Sequence, residues 1–122
     1  LSMVIFHEAL PDGYLLVLAP DAAALAEDEL ADHLDRACRS GKSAVLVDCR
    51  LLETVSATAV WLLWACYRRL HRRRVPLVLC SVSKRVERAL RQAFRSTDLC
   101  LASSLGEATG LREFRPGPVS FC

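Results

Sequence analysis

Apolar positions along this chain change their period several times, and each change marks an element. Met3 to Ala9 and Tyr14 to Ala19 are short runs rich in Val, Ile, Leu and Tyr, a composition that suits a pleated strand. Between them Leu10-Pro11-Asp12-Gly13 presets a turn, because proline fixes φ and glycine accepts a positive one. The two runs therefore predict a β-hairpin. From Leu25 to Ser40 the period lengthens, with Leu30, Leu34 and Ala37 or Cys38 three to four residues apart. Glu27, Asp28, Glu29 and Asp32 come early and Arg36 and Arg39 late, which complements a helix dipole, and Gly41 supplies the stop.

Ala44 to Asp48 and Leu77 to Ser81 are continuous apolar runs of strand length, as expected of central strands covered on both faces. Each precedes a helical pattern. Near Ala57 to Arg73, Val60, Leu63, Tyr67 and Leu70 form one stripe; near Lys84 to Arg95 the inward set is Val86, Leu90, Ala93 and Phe94. Leu99 to Ala102 reads as a last strand, and Ser104-Leu105-Gly106-Glu107 as a capping box opening a short final helix. Arg115-Pro116-Gly117-Pro118 ends regular structure. Strands alternating with helices after a hairpin predict a single α/β domain with a mostly parallel central sheet flanked by helices. The domain is expected over residues 3–112, with a C-terminal tail over 113–122.

The order and spacing of the middle segments resemble the STAS domain, named for sulfate transporters and anti-sigma factor antagonists. The family pattern is a strand ending in Asp, a linker, Asp-Ser-Ser-Gly-Leu opening the second helix, then an aromatic and basic stretch. Here the strand ends at Asp48, Ser56-Ala57-Thr58-Ala59-Val60 occupies the motif, and Tyr67-Arg68-Arg69-Leu70 follows. Leu18-Ala19-Pro20-Asp21 is similar to the family's Gly-x-Leu-Asp, and Leu105-Gly106-Glu107-Ala108 to its final helix. Three motif positions depart: Ser56 replaces Asp, Ala57 the first Ser, and Ala59 the Gly. The phosphoacceptor position keeps a hydroxyl as Thr58.

The resemblance implies a bacterial regulator of transcription without catalysis of its own, whose partner is an anti-sigma factor or related serine/threonine kinase. Thr58 would be the phosphoacceptor, with Ser56, Trp61 and Leu62 completing the partner-binding surface. Asp21 and Asp48 would organise loops beside Thr58. Two rivals stand next to this expectation: a STAS subunit of another assembly, stressosome-like or a lipid-transport ATPase, and a small-ligand or nucleotide binder using the strand ends near Asp48.

The residues themselves set the alternatives. Thr58 at a helix start is a cap or an exposed acceptor, and Ser56 is the nearer candidate for the cap. On a helical wheel aligned to Val60, Leu63, Tyr67 and Leu70, Trp61 points away from the core. It is a docking anchor or lies under a neighbouring loop. Leu62 is also off the stripe's centre, and Trp64 sits at its edge.

Composition narrows the field further. The 122 residues are enough to bury about two-thirds of the extended chain's surface in one domain, and 52% hydrophobic with 25% charged content fits a globular chain. A net charge of +2 gives no mandate for nucleic acid. The cluster Arg68-Arg69-Leu70-His71-Arg72-Arg73-Arg74 reads as a solvated helix end, where cations offset the dipole. Cys38, Cys49, Cys66, Cys80, Cys100 and Cys122 show no C-x-x-C pair or metal-ligand spacing, so free thiols in a reducing cytoplasm are expected. His7, His33 and His71 belong to different elements, so no metal site is expected. Nor is a cofactor, since nucleotide loops and hydrolase elbows are missing from the sequence. Phospho-receiver chemistry is disfavoured because no acidic pair follows the first strand. The longest apolar run, near Ala57 to Cys66, is too short to span a bilayer.

Overall fold

Leu10 donates its N–H to the Gly13 carbonyl at 2.7 Å, closing the turn between β1 (Val4–Ala9) and β2 (Tyr14–Leu18). The computed structural model describes residues 4–19, 26–95, 99–104 and 106–107. After the hairpin come α1 (Ala26–Arg39), β3 (Val45–Asp48), α2 (Ala57–His71), β4 (Leu77–Cys80), α3 (Lys84–Leu90) and β5 (Cys100–Ala102). The five strands form one sheet in the order β1-β2-β3-β4-β5. β1 runs antiparallel to β2, with a register shift between Val4 and Phe6, and every later pair is parallel. Hairpin, alternation and parallel sheet agree with the sequence pattern. The expected Pro20, Asp21 and most of the final helix and tail lie outside the described residues.

Side chains on successive strand residues point to opposite faces, and the sheet sorts its apolar residues accordingly. Leu16, Leu18, Val45, Val47, Leu77, Leu79 and Leu99 share one cluster with residues from all three helices. Leu15, Leu46, Val78, Cys80, Cys100 and Ala102 form a second cluster, to which none of the three helices contributes. Every residue of β3 and β4 is buried. That explains why these strands read as unbroken apolar runs and not as alternation.

The helices attach through the stripes expected. Leu30, Leu34, Ala37 and Cys38 of α1 are buried, as are Ala59, Val60, Leu63, Cys66 and Leu70 of α2. Tyr67 is half-buried and meets Phe94 edge-on, ring centroids 5.6 Å apart. α3 is shorter than its periodicity suggests. Beyond Leu90 the chain tightens into i to i−3 hydrogen bonds, Gln92 to Ala89 and Ala93 to Leu90. The tighter turn carries Phe94 inward and leaves Ala93 exposed, the reverse of an inward Ala93.

Helix ends are closed by local groups. Gly41 sits at φ 74° after α1, the left-handed conformation that costs glycine least. α2 stops at His71, two residues short of expectation. Val75 donates to the Leu70 carbonyl and Arg74 to that of His71, both at 3.0 Å, the paired bonds of a Schellman ending. The residue forced left-handed is Arg74, at φ 60°, a position usually held by glycine and therefore unmarked in the sequence.

Cys38, Cys49, Cys66 and Cys80 are free and buried. Cys100 is disulfide-bonded, a departure from the free thiols expected throughout.

A left-handed conformation costs an L-residue about 1–2 kcal/mol. Arg74→Gly should therefore raise unfolding stability by about 1 kcal/mol, read as a higher urea midpoint with unchanged slope.

Candidate functional site

The β3–α2 connection and the first turns of α2 place the candidate residues at the carboxyl end of the parallel strands. Asp48 closes β3 and is buried at 6% exposure. Its Oδ1 accepts the Arg50 N–H at 3.0 Å, which turns the chain out of the sheet. Leu52 then donates to the Cys49 carbonyl at 3.0 Å, and the linker carries Leu51 outward at 43% exposure.

Ser56 begins α2. Its backbone is extended at φ −73° and ψ 158°, and its Oγ accepts the Ala59 N–H at 3.0 Å. Between the two capping readings, the hydroxyl that closes the helix start is that of Ser56. Thr58, the second helical residue, is exposed. The first turn contains no acidic residue, so the positive end of the helix dipole faces outward without a side-chain anion of that turn against it.

Residues three and four apart share a helix face. Trp61 and Leu62 therefore follow Thr58 along α2. Trp61 is 60% exposed, and with Leu51 it is one of two large apolar side chains exposed among the described residues. No loop buries it, in contrast to the covered alternative. Leu62 is half-buried and packs against the core cluster, so it contributes an edge and not a protruding anchor.

The surface continues further than the sequence reading carried it. The Trp61 and Trp64 rings stack with centroids 5.1 Å apart, and the Arg68 guanidinium carbon lies 5.0 Å from the Trp64 ring centre. The i, i+3, i+7 spacing was the available signal. Arg69 and Arg73 turn to α1: Arg69 pairs with Asp35 at 2.9 Å, and Arg73 donates to the Cys38 carbonyl. The hydrogen bond from Arg69 is the main cause that lowers the Asp35 carboxyl, with Arg39 adding to it. The basic run thus fastens a helix seam as well as ending a helix.

Two histidines assigned to separate elements do meet. His7 of β1 and His33 of α1 have ring centroids 5.0 Å apart, while His71 stacks on Tyr67. No group of three or more metal-ligating side chains occurs among the described residues.

A STAS domain family model matches residues 21–108. The chain belongs to the STAS domain family. No curated protein matches the sequence. Among solved structures, a serine-to-glutamate variant of Moorella thermoacetica RsbS is similar at TM-score 0.78 and 16% identity, over 93% of this chain and 97% of that one. The Bacillus anti-sigma factor antagonist SpoIIAA in its unphosphorylated form gives 0.69 and 14%, over 89% and 96%. A chain from the stressosome, described as a signal integration and transduction hub, gives 0.72 and 14%, over 88% and 96%. At these identities the likeness establishes a shared STAS fold. No described helix is long and apolar enough to cross a membrane.

Ser56→Ala removes the cap of α2 and should cost about 1 kcal/mol in urea unfolding. His33 offers a pH test. Burial first, then His7 and Arg36, push its imidazole below the usual 6.5, opposed by Glu29 and Asp32. The unfolded chain then takes up the proton at higher pH than the folded one, so stability falls as pH drops through 6.5 toward the folded value. Between about pH 7.5 and about pH 5.5, wild type should lose more stability than His33→Gln.

Proposed function

We propose that this STAS domain is an anti-sigma factor antagonist-type regulator of transcription. It captures an anti-sigma factor with serine/threonine kinase activity through the start of α2, and phosphorylation of Thr58 releases that partner. One observation carries the reading: an exposed threonine one turn ahead of a 60% exposed tryptophan on the outward side of a helix. Binding is then the protein's activity, and its setting is the bacterial cytoplasm.

The physics of the switch follows from position. Phosphorylation adds nearly two negative charges and three acceptor oxygens. At the second residue of a helix whose first turn holds no acid, that charge is compatible with the dipole and leaves the fold intact. The cost falls on the complex, where the phosphate must be desolvated beside Trp61 and the edge of Leu62. Trp is among the residue types enriched in interface hot spots, and Leu51 on the β3–α2 linker is the other large apolar side chain exposed among the described residues. Ser56 contributes by holding the helix start, and Asp48 by turning the chain toward it. Asp21, expected to serve the same loops, lies outside the described residues.

A second reading, a STAS subunit of a stressosome-type assembly, is supported by the likeness to the stressosome chain. The two separate by size in solution: a regulator of the first kind stays small until its kinase is added, and an assembly subunit forms large particles with its companion proteins.

With a kinase-type anti-sigma factor and ATP, phosphate should appear on Thr58 by peptide mass spectrometry and be lost in Thr58→Ala. Thr58→Glu should weaken capture by at least about tenfold, equal to about 1.4 kcal/mol, whereas Thr58→Ala binds as wild type. Trp61→Ala should cost about 2 kcal/mol of binding with an unchanged urea midpoint. Equal capture by wild type and Thr58→Glu rejects the switch, and unfolding of Trp61→Ala returns that residue to the core.

A further inference from the structure

Two thiols meet across the seam between α1 and α2. Cys38 lies in the last turn of α1 and Cys66 in the second half of α2, separated by 28 residues in sequence. Their Sγ atoms are 3.3 Å apart, and exposure is 2% for Cys38 and 3% for Cys66. A disulfide requires about 2.05 Å, so side-chain movement of about 1 Å closes the gap. The surroundings hold the pair together. Arg73 donates to the carbonyl of Cys38, and Arg69 bridges from α2 to Asp35 of α1.

The same setting selects a nucleophile. The hydrogen bond shared with Cys66 is the main cause that lowers the Cys38 thiol from its ordinary value, with the Arg69 and Arg73 charges assisting against burial and Asp35. The same bond, and burial after it, push the Cys66 thiol up. Burial first, with the Asp48 carboxylate adding to it, raises Cys49 and Cys80 to about 12, so these two thiols stay protonated.

We propose that Cys38 and Cys66 are a redox-sensitive pair, oxidised by a hydroperoxide to a disulfide that bolts α1 to α2. In the first step the Cys38 thiolate attacks the terminal oxygen of ROOH. An S–O bond forms, the O–O bond breaks, and the departing RO⁻ takes a proton to leave as ROH, with a sulfenic acid on Cys38. In the second step the Cys66 sulfur attacks the Cys38 sulfur. An S–S bond forms, the S–O bond breaks, and the leaving hydroxide takes the Cys66 proton as water. Two electrons pass from the thiols to the peroxide, and a dithiol reductant reverses the change. Because Cys66 lies on the buried stripe of α2, the bond fixes the rotation of the helix that also carries Thr58 and Trp61.

The test uses the full chain, exposed to hydrogen peroxide and then alkylated under denaturing conditions. Peptide mapping should find the segments holding Cys38 and Cys66 joined, with the loss of two alkylatable thiols, while Cys49 and Cys80 remain alkylated. Dithiothreitol should restore both thiols. Cys38→Ala and Cys66→Ala should each abolish the joined peptide, and Cys49→Ala should retain it. Full alkylation of Cys38 and Cys66 after peroxide, or Cys38 joined to a different cysteine, overturns the proposal. The mapping is done on the unmutated chain, so it decides even where a variant fails to fold.

Discussion

Docking of the Ala59, Val60, Leu63, Cys66 and Leu70 stripe onto the sheet is the contact on which the rest of the molecule depends. Burying a side chain such as Leu63, which is 1% exposed, contributes roughly 1.5–3 kcal/mol. The stripe therefore strongly resists any rotation of the helix about its axis. With the rotation set, no freedom remains in the outward side: Thr58, Trp61 and Arg68 face solvent because their neighbours cannot. Core and surface on α2 are one decision. A substitution that shifted the inward residues by one position would also swing the tryptophan out of place.

The seam with α1 holds the same helix from the side. Asp35 receives both Arg39, one turn along its own helix, and Arg69 across the gap. These are exposed pairs, and such pairs contribute modestly to stability. Their geometry still matters because the carboxylate and the Cys38 carbonyl together engage Arg69 in the last turn of α2 and Arg73 just beyond its end. That anchors the carboxyl-terminal half, while the Ser56 cap defines the amino-terminal start.

How much of this was legible in the sequence depended on the range of the interaction. Periodicity is local, so the hairpin, the inward faces of α1 and α2 and the outward Trp61 could all be read from it. The capping hydroxyl of Ser56 was visible for the same reason, since it bonds three residues away. Arg74 was not, because its left-handed backbone is imposed by the helix ending and leaves no glycine to mark it. Phe94 was placed inward correctly, but the tightened turn that carries it there depends on packing against Tyr67. The meetings of His7 with His33 and of Cys38 with Cys66 depend on how elements are set side by side, which no single segment encodes. Leu51 escaped notice because an isolated leucine in a linker has no period.

The sheet order has a further meaning for how the chain reaches its native state. Each strand pairs with the one just before it in sequence, so no strand has to be inserted between two already joined. The entropy cost of bringing distant segments together grows with the length of the loop closed, and here each parallel closure spans a single intervening segment. Nascent chain can add to the growing edge in the order in which it leaves the ribosome, without waiting for its far end.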